Sequence, residues 1–229
     1  MRKHVKHWVA AIAIVAMGQS AFAAGQTSAL NGFDVNLGMD FVAASSKQVF
    51  VGGTQFYNYG GQSSTVSIGG GYSHSFGRFN LGVHASLMTG EVDAGGEGYP
   101  SDDSSEYDYS LKLKSVKELS IEPGLVFGSN VVGYLKIASV SGDLVQKVNY
   151  PYYSLRGDAS SSVSTTALGL GMRAKLTQHW FMSAEMEQAE FSNKTSSIDV
   201  TDGTYDYGSI DVKNKLKMTH AAVKFGLLF

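Results

Sequence analysis

Apolar and polar residues alternate with a period of two along most of the chain beyond residue 30. In NGFDVNLGMDFV (31–42), Phe33, Val35, Leu37, Met39 and Phe41 share one face, with Asp34, Asn36, Gly38 and Asp40 on the other. STVSIGGGYSHSF (64–76) and FNLGVHASLM (79–88) repeat the pattern, the second setting Leu81, Val83 and Leu87 against Asn80, His84 and Ser86. Residues 116–127 set Leu119, Ile121 and Leu125 against Ser120, Glu122 and Gly124, and residues 130–140 set Leu135 and Ile137 against Val132, Tyr134 and Lys136. TTALGLGMRAKL (165–176) and WFMSAEMEQAEF (180–191) follow, and the chain closes on HAAVKFGLLF after a strand that starts near Ile210. A two-residue period is the signature of a strand with one apolar face, and no stretch beyond the first 23 residues carries a long helical pattern.

These eight predicted strands are joined unevenly. Tight turns fall near Gly77-Arg78, Ser129-Asn130 and Gln178-His179. Between them lie long polar connections at 43–63, 91–109, 141–162 and 192–209. Short turns alternating with long loops are the plan of a transmembrane β-barrel, with short periplasmic turns and long extracellular loops. The fold class expected is all-β: an eight-stranded antiparallel transmembrane barrel with apolar side chains on lipid and polar ones in the lumen. A soluble barrel or sandwich is the rival. Against it stand the aromatics gathered at the short-turn ends (Phe76, Phe79, Phe127, Trp180, Phe229) and the ionic residues in mid-strand. In hydrocarbon no sheet edge stays unpaired, so the last strand should pair with the first, leaving Phe229 at the inner rim and Lys224 in the lumen.

The first stretch differs from the rest. MRKHVKHW carries Arg2, Lys3 and Lys6, VAAIAIVAM is a short apolar run, and Ala21-Phe22-Ala23 has the A-x-A form of a cleavage site. Residues 1–23 read as a secretory signal peptide, too short in its apolar run to be a membrane anchor, and 24–229 as one barrel domain. Its removal leaves 15 basic against 20 acidic residues, a net charge of -5, which excludes a nucleic-acid partner on electrostatic grounds. Cys is absent, so neither a disulfide framework nor a thiolate metal site is available.

With its signal peptide, eight alternating segments and terminal AAVKFGLLF, the chain resembles the small outer-membrane barrels of Gram-negative bacteria. That group includes the transmembrane domain of outer membrane protein A, the attachment-invasion type and the opacity proteins. The resemblance covers residues 25–229 and is architectural. It implies a cell outer-membrane location as a monomer, contact with outer-membrane lipid and lipopolysaccharide, and biogenesis through periplasmic chaperones and the barrel-assembly machinery. Phe225, Leu227 and Phe229 match the ending that machinery reads. It also implies a surface protein, structural or adhesive through its loops, with a host or surface ligand as partner. The alternative is a narrow, porin-like channel for small solutes.

The lumen of an eight-stranded barrel is just wide enough for side chains to fill. The inward set is Asp34, Asp40, His84, Glu122, Lys136, Arg173, Lys175, Glu185, Glu187, His220 and Lys224. Within it, an ion-pair network is expected from Asp34, Glu122, Lys136, Arg173, Glu185, Glu187, His220 and Lys224. Counting from the turns pairs Glu122 with Lys136, Glu185 with Arg173, and Lys224 with Asp34. Internal pairing that satisfies buried charge is the expectation, with a gated polar path as the alternative. No enzyme activity, cofactor, catalytic residue or metal ligand is expected. Glu187 and His220 lack an activated nucleophile, and Tyr72-Ser73-His74-Ser75 sits beside a short turn, on the wrong side for outer-leaflet lipid. The acidic stretch 91–109 lacks the glycine and terminal glutamate of a twelve-residue calcium loop. Among the loops, Tyr150, Tyr152, Tyr153 and Arg156 are the residue types of recognition hot spots and form the candidate recognition segment. Phe56, Tyr57, Tyr59, Tyr205 and Tyr207 are divided between such contacts and an upper aromatic girdle.

Overall fold

The computed structural model describes residues 30–50, 56–98, 108–150 and 154–229; the signal peptide assigned to 1–23 lies outside them. The described residues form one antiparallel sheet of ten strands: β1 Gly32–Phe50, β2 Phe56–Phe76, β3 Phe79–Met88, β4 Val92–Gly98, β5 Asp108–Phe127, β6 Val131–Tyr150, β7 Leu155–Lys175, β8 Trp180–Glu190, β9 Lys194–Thr201 and β10 Asp206–Leu228. β4 continues β3 along β5, and β9 continues β8 along β10, so the wall has eight staves. It closes because β1 pairs with β10 in an unbroken ladder from Asp34–Leu228 to Phe50–Val212. The expected final ladder is therefore present, and Phe229 caps it by donating its backbone N–H to the Phe33 carbonyl at 2.8 Å.

The strands run much further than the alternation of the lower segments suggested. Most of 43–63, 141–162 and 192–209, expected as loops, is strand, and so are 92–98 and 108–109 within the expected loop 91–109. The last strand begins at Asp206 rather than near Ile210. The reason is an inversion of polarity part-way up the wall. In the lower half of β1, Phe33, Val35, Leu37, Met39 and Phe41 point outward and Asp34, Asn36 and Asp40 inward; in the upper half Val42 and Ala44 point inward and Lys47 outward. β10 does the same in reverse chain order, with Val212, Leu216 and Met218 inside beneath exposed Lys213 and Lys217, then His220 and Lys224 inside beneath Phe225. A sequence reading keyed to apolar residues on one face loses the strand where that face changes.

The lower exterior is a continuous apolar belt, nine residues deep on β1 from Phe33 to Phe41, close to the about 9–11 residues of a bilayer-spanning strand. Its lower margin is the aromatic collar: Phe76, Phe79, Phe127, Trp180 and Phe229 are all exposed. A large exposed apolar surface ringed by aromatics is unstable in water and fits a bilayer. Above the belt the barrel has the opposite construction. Leu111, Leu113, Val140, Leu144, Phe191 and Leu216 pack in an apolar core, with Tyr59 and Tyr109 facing each other inside it at 5.3 Å between ring centroids and Gln48, Gln146 and Asn214 buried beside it. Tyr59 is thus a core residue, not part of a recognition loop or an upper girdle.

One bulge matters for the interior. Ser115 has φ 52°, and the β5–β6 register shifts between Lys114 and Lys117. The extra residue switches the inward set of β5 from odd positions (Leu111, Leu113) to even ones (Val116, Glu118, Ser120, Glu122), each facing inward at its own level.

Candidate functional site: the charged interior

Eleven ionisable side chains are buried inside the lower barrel: Asp34, Asp40, His84, Glu118, Glu122, Lys136, Arg173, Glu185, Glu187, His220 and Lys224. All eight residues of the expected network are among them. They divide into two connected layers. In the lower layer His84 bridges two carboxylates, with Nε2 2.8 Å from Asp34 Oδ2 and Nδ1 2.9 Å from Glu122 Oε2. Arg173 donates to Glu122 Oε2 at 3.1 Å and to Ser73 Oγ at 3.1 Å, and its guanidinium lies 5.3 Å from the Phe181 ring and 5.4 Å from the Tyr134 ring. Asn36 and Ser120 donate to Asp34 and Glu122.

In the upper layer Lys136, 1% exposed, sits among three carboxylates: Glu118 at 2.6 Å, Glu185 at 2.9 Å and Glu187 at 3.3 Å. Lys224 also pairs with Glu185, and the Tyr134 hydroxyl donates to Glu185 Oε2 at 3.2 Å. His220 repeats the double bridge, with Nε2 2.8 Å from Asp40 Oδ1 and Nδ1 3.0 Å from Glu187 Oε1. Glycines make the room. A Cβ on Gly171 would lie 2.4 Å from the Tyr134 ring, and one on Gly226 would lie 2.4 Å from the Phe181 ring.

The partners differ from those counted along the chain. Glu122 pairs with His84 and Arg173, not with Lys136; Lys224 reaches Glu185, not Asp34; and Arg173 pairs with Glu122, not Glu185. Counting residues from a turn finds the directly opposite neighbour, whereas long side chains reach diagonally and across the lumen to strands that never pair. Glu118 was missed, though it continues the alternation of Ser120 and Glu122. Lys175 is only half-buried, at the lower mouth.

The other sequence candidates lie elsewhere. Arg156 is exposed on β7 opposite Asn149; Tyr152, Tyr153 and the Tyr150 side chain fall outside the described residues. Phe225 stacks on Trp180 at 4.8 Å on the outer face beside Leu227. Ser73 points into the lumen whereas His74 faces out and meets Phe76 at 4.5 Å, so strand geometry separates the serine from the histidine. In the acidic stretch, Glu91 is held by Lys112 at 2.8 Å and by Lys114, and these two lysines draw its carboxyl down to about 2. The acidic character of that stretch is thus partly neutralised by basic neighbours just beyond its end.

No family model and no curated protein matches the chain. Solved structures similar to it include Ail, the attachment invasion locus protein of Yersinia pestis (15% identity, 85% of this chain and 99% of that one, TM-score 0.36). Neisserial surface protein A is similar at 13% identity, 86% and 97% coverage and TM-score 0.42, and the outer membrane protein OprG of Pseudomonas aeruginosa at 12%, 89% and 99%, and 0.48. The barrel assignment itself rests on the β1–β10 ladder and the apolar belt.

Proposed function

We propose that the chain is a non-enzymatic outer-membrane protein whose barrel is a closed structural plug and whose upper end is displayed at the cell surface. The observation that carries this reading is the double filling of the interior. An ionic lattice occupies the membrane level, and above it Val140, Leu144 and Leu216, at most 2% exposed, fill the interior together with buried Gln48, Gln146 and Asn214. A polar solute or ion has no open path through an interior filled in this way. The reading includes export by the 1–23 segment, assembly through the Phe225–Phe229 ending, and residence as a monomer in the outer membrane.

Orientation is supported by charge. Above the belt, Lys47 stands opposite Lys215 on the paired outer faces of β1 and β10, with Lys213 and Lys217 on the same strand and Lys117 on β5; Lys215 and Lys217 share Glu190 at 2.5 and 3.0 Å. The basic excess over that one carboxylate suits the phosphates of lipopolysaccharide. Surface attachment through Arg156 and the adjoining Tyr150–Tyr153 segment is the adhesive part of the reading.

Planar-bilayer recording of the refolded barrel tests the plug, with folding checked by gel mobility of boiled and unboiled samples. Folded protein should give a silent membrane. Reproducible conductance steps altered by Lys136→Ala would replace the plug with a gated channel.

A further inference from the structure

The buried charges do not balance. Six carboxylates (Asp34, Asp40, Glu118, Glu122, Glu185, Glu187) face three fixed cations (Lys136, Arg173, Lys224) and two histidines. Each ring nitrogen of both histidines has a carboxylate oxygen within 3.0 Å. Even with both imidazoles charged, one negative charge is left over among these buried groups. Unpaired buried charge is costly, so the cluster favours one further cation, a metal ion or a proton.

The geometry shows where it belongs. Among the described buried carboxylates, Asp40 Oδ2, Glu118 Oε2 and Glu187 Oε2 have no hydrogen-bond partner, Glu187 Oε2 lying 3.3 Å from Lys136 Nζ, and all three residues belong to the upper layer around His220. One ligand atom each from Glu118, Glu187 and His220 lies within 4.8 Å of the other two. Asp40 accepts from His220 Nε2 at 2.8 Å, which fixes the ring and leaves Nδ1 aimed at Glu187. A carboxylate behind a histidine, orienting its far nitrogen toward other ligands, is the arrangement that supports transition-metal binding.

We propose that Glu118, Glu187 and His220 form a buried site for one divalent transition-metal cation, with Asp40 as the positioning residue. One nitrogen and two carboxylate oxygens suit zinc-like ions rather than calcium or magnesium, which prefer all-oxygen shells. Binding exchanges one cation for one proton: the metal takes the Nδ1 lone pair and the Nδ1 proton leaves to solvent. The leftover negative charge and the lost imidazolium charge are then both cancelled, and the interior becomes neutral. Lys136 now occupies the same neighbourhood, 2.6 Å from Glu118 and 3.3 Å from Glu187; when the metal takes those two, Lys136 keeps Glu185 at 2.9 Å. The ligands must draw together, because metal–ligand bonds are about 2.0–2.2 Å. The apolar core above and the Tyr134, Arg173 and Phe181 layer below enclose the cluster, so loading should occur as the barrel closes, and exchange afterwards should be slow.

The test is untagged protein refolded with and without zinc, desalted, and analysed for metal by mass spectrometry, with Glu118→Gln and His220→Gln in parallel and folding verified by gel mobility. About one zinc per folded native barrel is expected when the metal is present during refolding, and little when it is added afterwards. Both variants should lose the metal while still folding, Glu118→Gln being nearly isosteric. Zinc-free native protein, or full zinc retention in folded Glu118→Gln, would overturn the site. In the first case infrared spectroscopy should show a protonated-carboxyl band that disappears in Glu118→Gln, identifying the balancing cation as a proton. None of these outcomes depends on whether the barrel conducts.

Discussion

His220 Nε2 lies 2.8 Å from Asp40 Oδ1, joining the last strand of the wall to the first inside the lumen. The two residues are 180 positions apart in sequence yet nearly opposite across the closing ladder, where His220 pairs with Val42. Closure of the sheet therefore also completes the upper charged layer: Asp40 on β1 lacks its imidazole until β10 docks, whereas Asp34 finds its own on β3.

Lys136 should be the most costly single residue of the lattice to remove. Lys136→Met leaves Glu118, Glu185 and Glu187 crowded around an uncharged side chain. Breaking a buried pair costs about 3–5 kcal/mol, and a double variant with Glu118→Gln should recover part of it. Denaturant unfolding in lipid vesicles measures both.

The polarity inversion predicts opposite tolerance at two heights of the same strand. Ile121→Arg places a charge inside the lipid belt and should cost about 2–4 kcal/mol. Lys112→Leu, nine residues earlier on the exposed upper face, should be close to neutral, whereas Leu113→Ala in the apolar core beside it should cost about 2–5 kcal/mol. Equal costs at positions 112 and 121 would contradict the assigned waterline.

The lower barrel was legible because its apolar residues repeat on one face. Phe33 to Phe41 and Leu119 to Leu125 gave strand, face and lumen content directly, down to Lys136 and Arg173. The upper barrel was not legible, because there the inward face turns apolar and the outward face fills with Ser, Thr and Lys. The stretch 159–162 reads as the end of a polar connection and is in fact part of a strand that continues with Val163 inside. The pairings were lost for a different reason: alternation fixes which face a side chain occupies but not how far it reaches, so Glu122 finding Arg173 across the lumen leaves no trace in either local pattern.

Glu91 should titrate anomalously at the surface. Lys112 and Lys114 hold its carboxyl at about 2 instead of the usual 4.5. A depressed folded value means the stabilisation is fully present above the unfolded value near 4.5 and is lost as pH falls toward 2. A carbon NMR titration of Glu91 should show a midpoint well below 4. Lys112→Met should raise it, and high salt should weaken the effect because the pair is exposed.

Among the described residues the upper wall is weakly joined at two seams, between β2 and β4, where no ladder continues above Ser67–Met88, and between β7 and β9. The β7–β8 ladder ends at Ala167–Ala189; above it, among the described residues, the only backbone pairing between these staves is Arg156–Thr201. Side chains tack the interval, with Ser161 and Ser196 hydroxyls 3.3 Å apart and Thr165 donating to the Glu190 carbonyl at 2.7 Å. On its other edge β7 is paired with β6 along its whole length. Alternate amides between 157 and 166, those facing β9, should therefore exchange with deuterium faster than their neighbours facing β6. Ser161→Cys with Ser196→Cys should form a disulfide without reshaping the wall, and it should slow that exchange selectively. Uniform protection along both edges of β7 in the native protein would show that this seam is zipped.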